Sequence, residues 1–159
     1  MKANSAGETL RAYWLSKGLV LPSGTTEQEI RDFEGRYRVN LAGDFRDYFL
    51  QVDGMSTYWP NAQDKEGYSF WPLRKVKSVS DEATISGNSW RTFPEAGSLF
   101  LFADYLDWSW AYAIRLLSDP LEGGRIFIIG KQETPIEVAD SFSRFVELYL
   151  VDSPVLYGP

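Results

Sequence analysis

The residues of this chain able to do chemistry are carboxylates and indoles, because none of its 159 residues is histidine or cysteine. That removes the usual near-neutral acid/base, the commonest metal ligand, disulfides, thiolate zinc sites and cysteine nucleophiles. Five acids stand out by position: Asp53, Asp64, Glu66, Asp104 and Asp107 fall at the ends of apolar segments or between them. Two carboxylates at a set separation in a cleft could hydrolyse a glycosidic bond. Nothing in the spacing of 22 acids picks out such a pair. Gathered at the ends of neighbouring elements, the same acids could instead face a basic partner. Singly, each is as readily a turn cap. No acidic spacing resembles an EF-hand loop, and no catalytic residue, cofactor site or metal site is assigned.

The aromatics divide the same way. Tyr105, Trp108, Trp110 and Tyr112 could form a binding platform, since Trp and Tyr dominate interface hot spots. Large side chains on one strand face more often pack beneath helices, and that is the expectation for Trp110 and Tyr112. Trp108 sits at a turn and is expected to be more open. Tyr58-Trp59-Pro60 follows a helix end with no periodic reason for burial, which makes it a candidate exposed anchor. As loop-end charges, Asp104 and Asp107 are expected to be solvated.

These residues must be positioned by a helix-rich first third and a strand-rich remainder. Residues 6–17 read as a helix with Leu10, Tyr13, Trp14 and Lys17 on one face and Gly18 ending it. Thr26-Glu-Gln-Glu29 is a capping box opening a second helix with Ile30, Phe33, Glu34 and Tyr37 on a stripe. A third, over about 43–52, carries Phe45, Phe49 and Val52, with Tyr48 beside them, and Asp53-Gly54 stops it. The period then changes. Gly67–Trp71 alternates as a short strand that Pro72 ends, and Leu73, Val76, Val79 and Ala83 suit a helical turn or two. Residues 80–97 read as loop around one regular piece. Leu99–Phe102 is an apolar run suited to a strand covered on both faces. Trp108, Trp110, Tyr112 and Ile114 alternate with Ser109, Ala111 and Ala113, giving one bulky face and one small face. A turn at Leu121-Glu-Gly-Gly leads into Ile126–Ile129. The final helix, 141–151, has Phe142, Phe145, Val146, Tyr149 and Leu150 on a full core-facing stripe, with Asp140 or Ser141 as cap.

At 44% hydrophobic and 16% aromatic, the chain can bury roughly 70% of its unfolded surface as one domain over 1–159. A formal net charge of −6 argues against direct nucleic-acid binding, which needs basic side chains to displace counterions, and suits a basic protein partner. The start lacks an apolar leader core, and no run approaches the about 18 apolar residues of a membrane span. The expected setting is cytoplasmic, without membrane contact. Helices, then strands, then a helix is the order of an α+β domain.

Several segments, in order, resemble the SUKH superfamily: Thr26–Tyr37, Leu41 through Phe49-Leu-Gln-Val-Asp-Gly54, Phe70-Trp-Pro-Leu73, Phe100–Asp104 and Asp140–Leu150. That group includes fungal cell-wall-assembly regulators and bacterial immunity proteins. The resemblance spans about residues 25–151 and departs at Leu41-Ala-Gly-Asp, where Ala42 replaces the proline that usually presets the helix start. It implies N-terminal helices, an antiparallel or mixed sheet of about four to six strands, and a C-terminal helix packed on the sheet. It also implies non-enzymatic binding, most often of a cognate toxin such as a nuclease or deaminase. A regulatory scaffold of the same fold and a carbohydrate-binding domain are the alternatives. The expected partner-binding face draws on Asp53, Tyr58, Trp59, Asp64, Glu66, Asp104, Tyr105, Asp107 and Trp108; oligomeric state is left open.

Overall fold

The computed structural model describes residues 4–55, 64–86 and 94–159, with the backbone alone at 83–86. Helix α1 (Ala6–Ser16) starts at Ser5, whose hydroxyl accepts the Glu8 N–H. Leu10 and Trp14 are buried along it. Lys17 stands exposed just past its last turn, and Gly18 reverses the chain at φ 79°. Helix α2 (Glu27–Tyr37) starts as the capping box requires, with the Glu29 N–H donating to the Thr26 hydroxyl at 3.1 Å. The Glu29 carboxylate, expected to close back on the Thr26 backbone, accepts the hydroxyls of Thr25 and Thr26. Helix α3 (Gly43–Gln51) buries Phe45, Tyr48 and Phe49, and Ala42 at its start gives no side-chain cap. Gly54 has φ +72°, and a Cβ there would lie 2.6 Å from the Trp71 backbone. Only glycine lets the chain leave α3 this close to the first strand.

Among the described residues the sheet has six strands: β1 (Tyr68–Phe70), β2 (Lys77–Ser78), β3 (Leu99–Tyr105), β4 (Trp110–Arg115), β5 (Ile126–Ile129) and β6 (Ile136–Ala139). Their order is β1-β3-β4-β5-β6, with β2 also paired to β3. Every pair is antiparallel. Helix α4 (Val79–Ser86) follows β2. Two strands are additions to the sequence reading: β2 has two residues and β6 is a four-residue edge strand, both too short to establish a period.

Helix α5 (Phe142–Leu150) closes the fold, capped by Ser141 through the Arg144 N–H. Phe142, Phe145, Val146 and Tyr149 are buried as their spacing requires. Leu148 joins them while Leu150 is half-buried, because the chain folds back after the helix: Ser153 N–H bonds Leu148 O at 2.9 Å and Leu156 is fully buried. One sheet face meets α1, α3 and α5. There Phe102 packs edge-on against Phe45 at 5.6 Å, Phe142 at 5.7 Å and Phe145 at 5.4 Å. Such pairs add about 0.5–1.5 kcal/mol each beyond area burial. The opposite face carries a second cluster, including Trp71, Val79, Leu99, Leu101, Ala111 and Ala113. The bulky and small faces of β4 thus separate as the alternation predicts.

Candidate functional site

A register shift between Leu101 and Ala103 in β3 builds the site. Phe102 and Ala103 both join the helix-side core, so alternation resumes one residue out of phase. Asp104 then pairs with Ala111 on the opposite face, while Tyr105 pairs with Trp110 on the helix side. Asp104 therefore lies in a strand, 6% exposed, and the expectation that it is solvated is wrong. Its Oδ2 accepts the Trp71 indole N–H at 2.8 Å, and its Oδ1 accepts the Trp108 backbone N–H at 3.3 Å. Burial pushes its carboxyl above the ordinary carboxylate range. The bonds from Trp71 and Trp108 oppose that rise, Asp107 adds to it and Lys75 opposes it.

Beyond Tyr105, Leu106, Asp107 and Trp108 have φ of 46°, 50° and 70°. Three consecutive non-glycine residues are thus left-handed, a conformation that costs roughly 1–2 kcal/mol each. Surrounding bonds hold them. Leu106 N–H donates to Gly67 O at 2.9 Å, Ser109 N–H to Tyr105 O at 2.9 Å, and Trp108 N–H to Asp104. The turn takes Trp108 off the face of Trp110 and Tyr112 that its spacing indicates. It tilts instead over Trp71, with ring centres 4.9 Å apart, and is 37% exposed. Leu106 beside it is 51% exposed. On the helix side, Tyr105 stacks on Trp110 at 4.6 Å, and Lys131 Nζ stands 4.7 Å over the Trp110 ring. Tyr112 is buried and donates its hydroxyl to Leu156 O.

The turn at 64–67 abuts this hairpin. Asp64 Oδ1 accepts the N–H groups of Glu66 and Tyr68 at 2.9 Å each, and its Oδ2 takes the Tyr149 hydroxyl. Glu66 is exposed. Asp64, Glu66, Tyr105, Asp107 and Trp108 therefore share one end of the sheet, with Asp107 and Trp108 beside the buried Asp104 and Asp64 bonded to the helix side through Tyr149. Asp53 does not join them. It lies past the other end of β1, 9% exposed, where Oδ1 accepts the Leu73 N–H at 2.7 Å and ties α3 to the following turn. Burial raises its carboxyl, and the Leu73 bond opposes the rise. Tyr58 and Trp59 lie outside the described residues. Trp71 and Leu106 were not singled out in the sequence. The strand pattern ended at Pro72 without giving Trp71 a face, and nothing marked Leu106. Among the described residues, no group of three or more Asp or Glu is placed to hold a metal ion, and no helix is long and apolar enough to cross a membrane.

A family model described as SMI1/KNR4 family (SUKH-1) matches residues 24–148. No curated protein matches the sequence.

Proposed function

The chain belongs to the SMI1/KNR4 family (SUKH-1), and from that premise we propose that it is a non-enzymatic protein-binding domain. Its role on this reading is that of an immunity protein, binding and neutralising a basic toxin domain of nuclease or deaminase type. The observation that carries the choice of face is the β3–β4 hairpin. Three left-handed non-glycine residues hold a part-exposed indole over a second indole and a buried carboxylate. Strain of this kind persists only where its surroundings over-determine it, and it clusters at binding sites. Asp107 is exposed next to Trp108 in the turn, and Glu66 is exposed at the same end of the sheet. Their charge suits steering of a basic partner, while the aromatic contact sets how long the complex lasts.

The test is a pairwise measurement against a basic toxin domain, drawn from an adjoining gene where that gene encodes one, or captured with this chain from the source cell. The readouts are inhibition of that domain's activity and binding kinetics. Trp108→Ala is expected to raise the off-rate by about 2 kcal/mol or more in affinity terms. Unchanged affinity in both Trp108→Ala and Asp107→Lys would overturn the assignment of this face. Binding without inhibition would mark a regulatory scaffold. Saturable binding of an oligosaccharide at Trp108, in place of a protein, would mark carbohydrate recognition, for which the Trp71–Trp108 pair is the favouring feature.

A further inference from the structure

Across the 64–67 turn from the hairpin, a cavity of about 120 Å³ opens against α1. Tyr13, Trp14 and Leu19 wall it on the helix side, and Asp64, Lys65 and Glu66 on the other. A single water needs about 10–15 Å³, so the space takes the charged end of a long side chain with its last methylenes. The walls are fixed. Trp14 Nε1 donates to the Tyr149 hydroxyl at 2.9 Å, that hydroxyl is bonded to Asp64, and the Tyr13 ring meets Tyr149 edge-on at 5.8 Å. The lining sets Asp64 and Glu66 against Lys17 and Lys65, with Asp152 nearby, and at the Tyr13 hydroxyl the acids prevail: after burial, the charges of Asp64, Glu66 and Asp152 hold it above its ordinary range. One ammonium already uses that field. Lys17 stands at the rim with Nζ 5.3 Å from the Tyr13 ring centre.

We infer that this cavity receives one lysine or arginine side chain of a protein partner, which takes the place of Lys17 over the Tyr13 ring. The inference rests on the protein-binding reading above and deepens it, because the 64–67 turn joins the cavity to the hairpin through the Leu106–Gly67 bond. A cation within about 6 Å of a ring face is attracted by the ring quadrupole. Lys17 is exposed, so the exchange returns one ammonium to water as another cation leaves it.

The test titrates the intact protein with N-acetyl-arginine methylamide and its lysine counterpart, using the norleucine analogue as neutral control. The Trp14 indole N–H resonance is followed by NMR. Both cations are expected to shift it saturably and norleucine to leave it unmoved. Lys17→Ala is expected to tighten binding about two- to fivefold, the size of an exposed cation–π contact. Tyr13→Leu should weaken it while leaving every charge in place. An equal response to norleucine, or unchanged affinity in Lys17→Ala, would overturn the inference. Trp108→Ala should not alter probe binding. Loss of the probe response with partner binding at the hairpin intact refutes the cavity alone. The reverse result refutes the hairpin alone.

Discussion

Replacing Asp104 with alanine removes the group that ties the Trp71 indole to the backbone of the Trp108 turn. Its Oδ2 accepts the buried Trp71 indole N–H at 2.8 Å, and its Oδ1 accepts the Trp108 N–H at 3.3 Å. Without the carboxylate, the Trp71 donor is left buried and unpaired, which costs about 1–3 kcal/mol. The longer bond adds about 1 kcal/mol at most, because Trp108 lies in an exposed turn where water can take over. Relief of the desolvated charge offsets part of this, leaving a net loss of about 2 kcal/mol. At about 2–4 °C per kcal/mol for a chain of this size, the Tm should fall by roughly 4–8 °C. The sign of the pH dependence follows from the raised folded-state carboxyl. Between the ordinary carboxylate range and that raised value, the folded state holds more proton than the unfolded one. Wild-type stability therefore gains from this group as pH falls through the window, and the alanine variant does not. The cost of Asp104→Ala should accordingly be larger at acid pH than at neutral pH. Calorimetry at several pH values measures both quantities, and coupled-indole circular dichroism reports whether the Trp71–Trp108 pair, 4.9 Å apart, survives. A Tm change under about 1 °C, or a cost that grows as pH rises, would refute the buried-brace reasoning.

Reversing the exposed charges Glu66 and Asp107 to Lys should slow association with a basic partner at low salt and leave dissociation almost unchanged. The slowing should fade as salt shortens the screening length, and an on-rate flat with salt would remove the steering claim. Phe142→Ala should cost about 3–5 kcal/mol in denaturant unfolding, since its ring sits among Phe45 at 5.1 Å, Tyr48 at 4.8 Å and Phe102 at 5.7 Å. A cost below about 1 kcal/mol would mean that α5 does not close the core. Gly54→Ala should cost about 1–3 kcal/mol, because φ is +72° and the new Cβ meets the Trp71 backbone at 2.6 Å. Gly35→Ala, on the exposed side of α2 with nothing within 4 Å, should stabilise by about 0.5–1 kcal/mol. Thermal melts that failed to separate the two in sign would count against both placements.

How far the sequence could be read followed the range of the interactions involved. Helix α5 was legible because Phe142, Phe145, Val146 and Tyr149 repeat at helical spacing, and that stripe alone requires an apolar surface to meet it. The faces of β4 were legible for the same local reason. Asp104 was not. Leu99-Phe-Leu-Phe102 reads as one apolar run, and no residue type announces the shift between Leu101 and Ala103 that turns Asp104 inward. The hairpin was still less accessible, for Leu106-Asp-Trp108 contains neither the glycine nor the asparagine that usually marks left-handed backbone. Its conformation is held by partners remote in sequence, above all Gly67 O on the Leu106 N–H. The candidate acids were therefore separable only in part: the sequence could place Asp64, Glu66 and Asp107 at element ends, but not assign them one end and Asp53 another. The pairing of β1 with β3 makes that assignment, through Tyr68 opposite Tyr105 and Phe70 opposite Ala103. A slip of one residue in that register would turn Tyr68 and Phe70 off the helix side and carry the Trp71 indole away from Asp104. It would also part Leu106 from Gly67, dismantling the brace, the strained turn and the shared acidic end together. The face is thus specified by strand register as much as by the residues that line it.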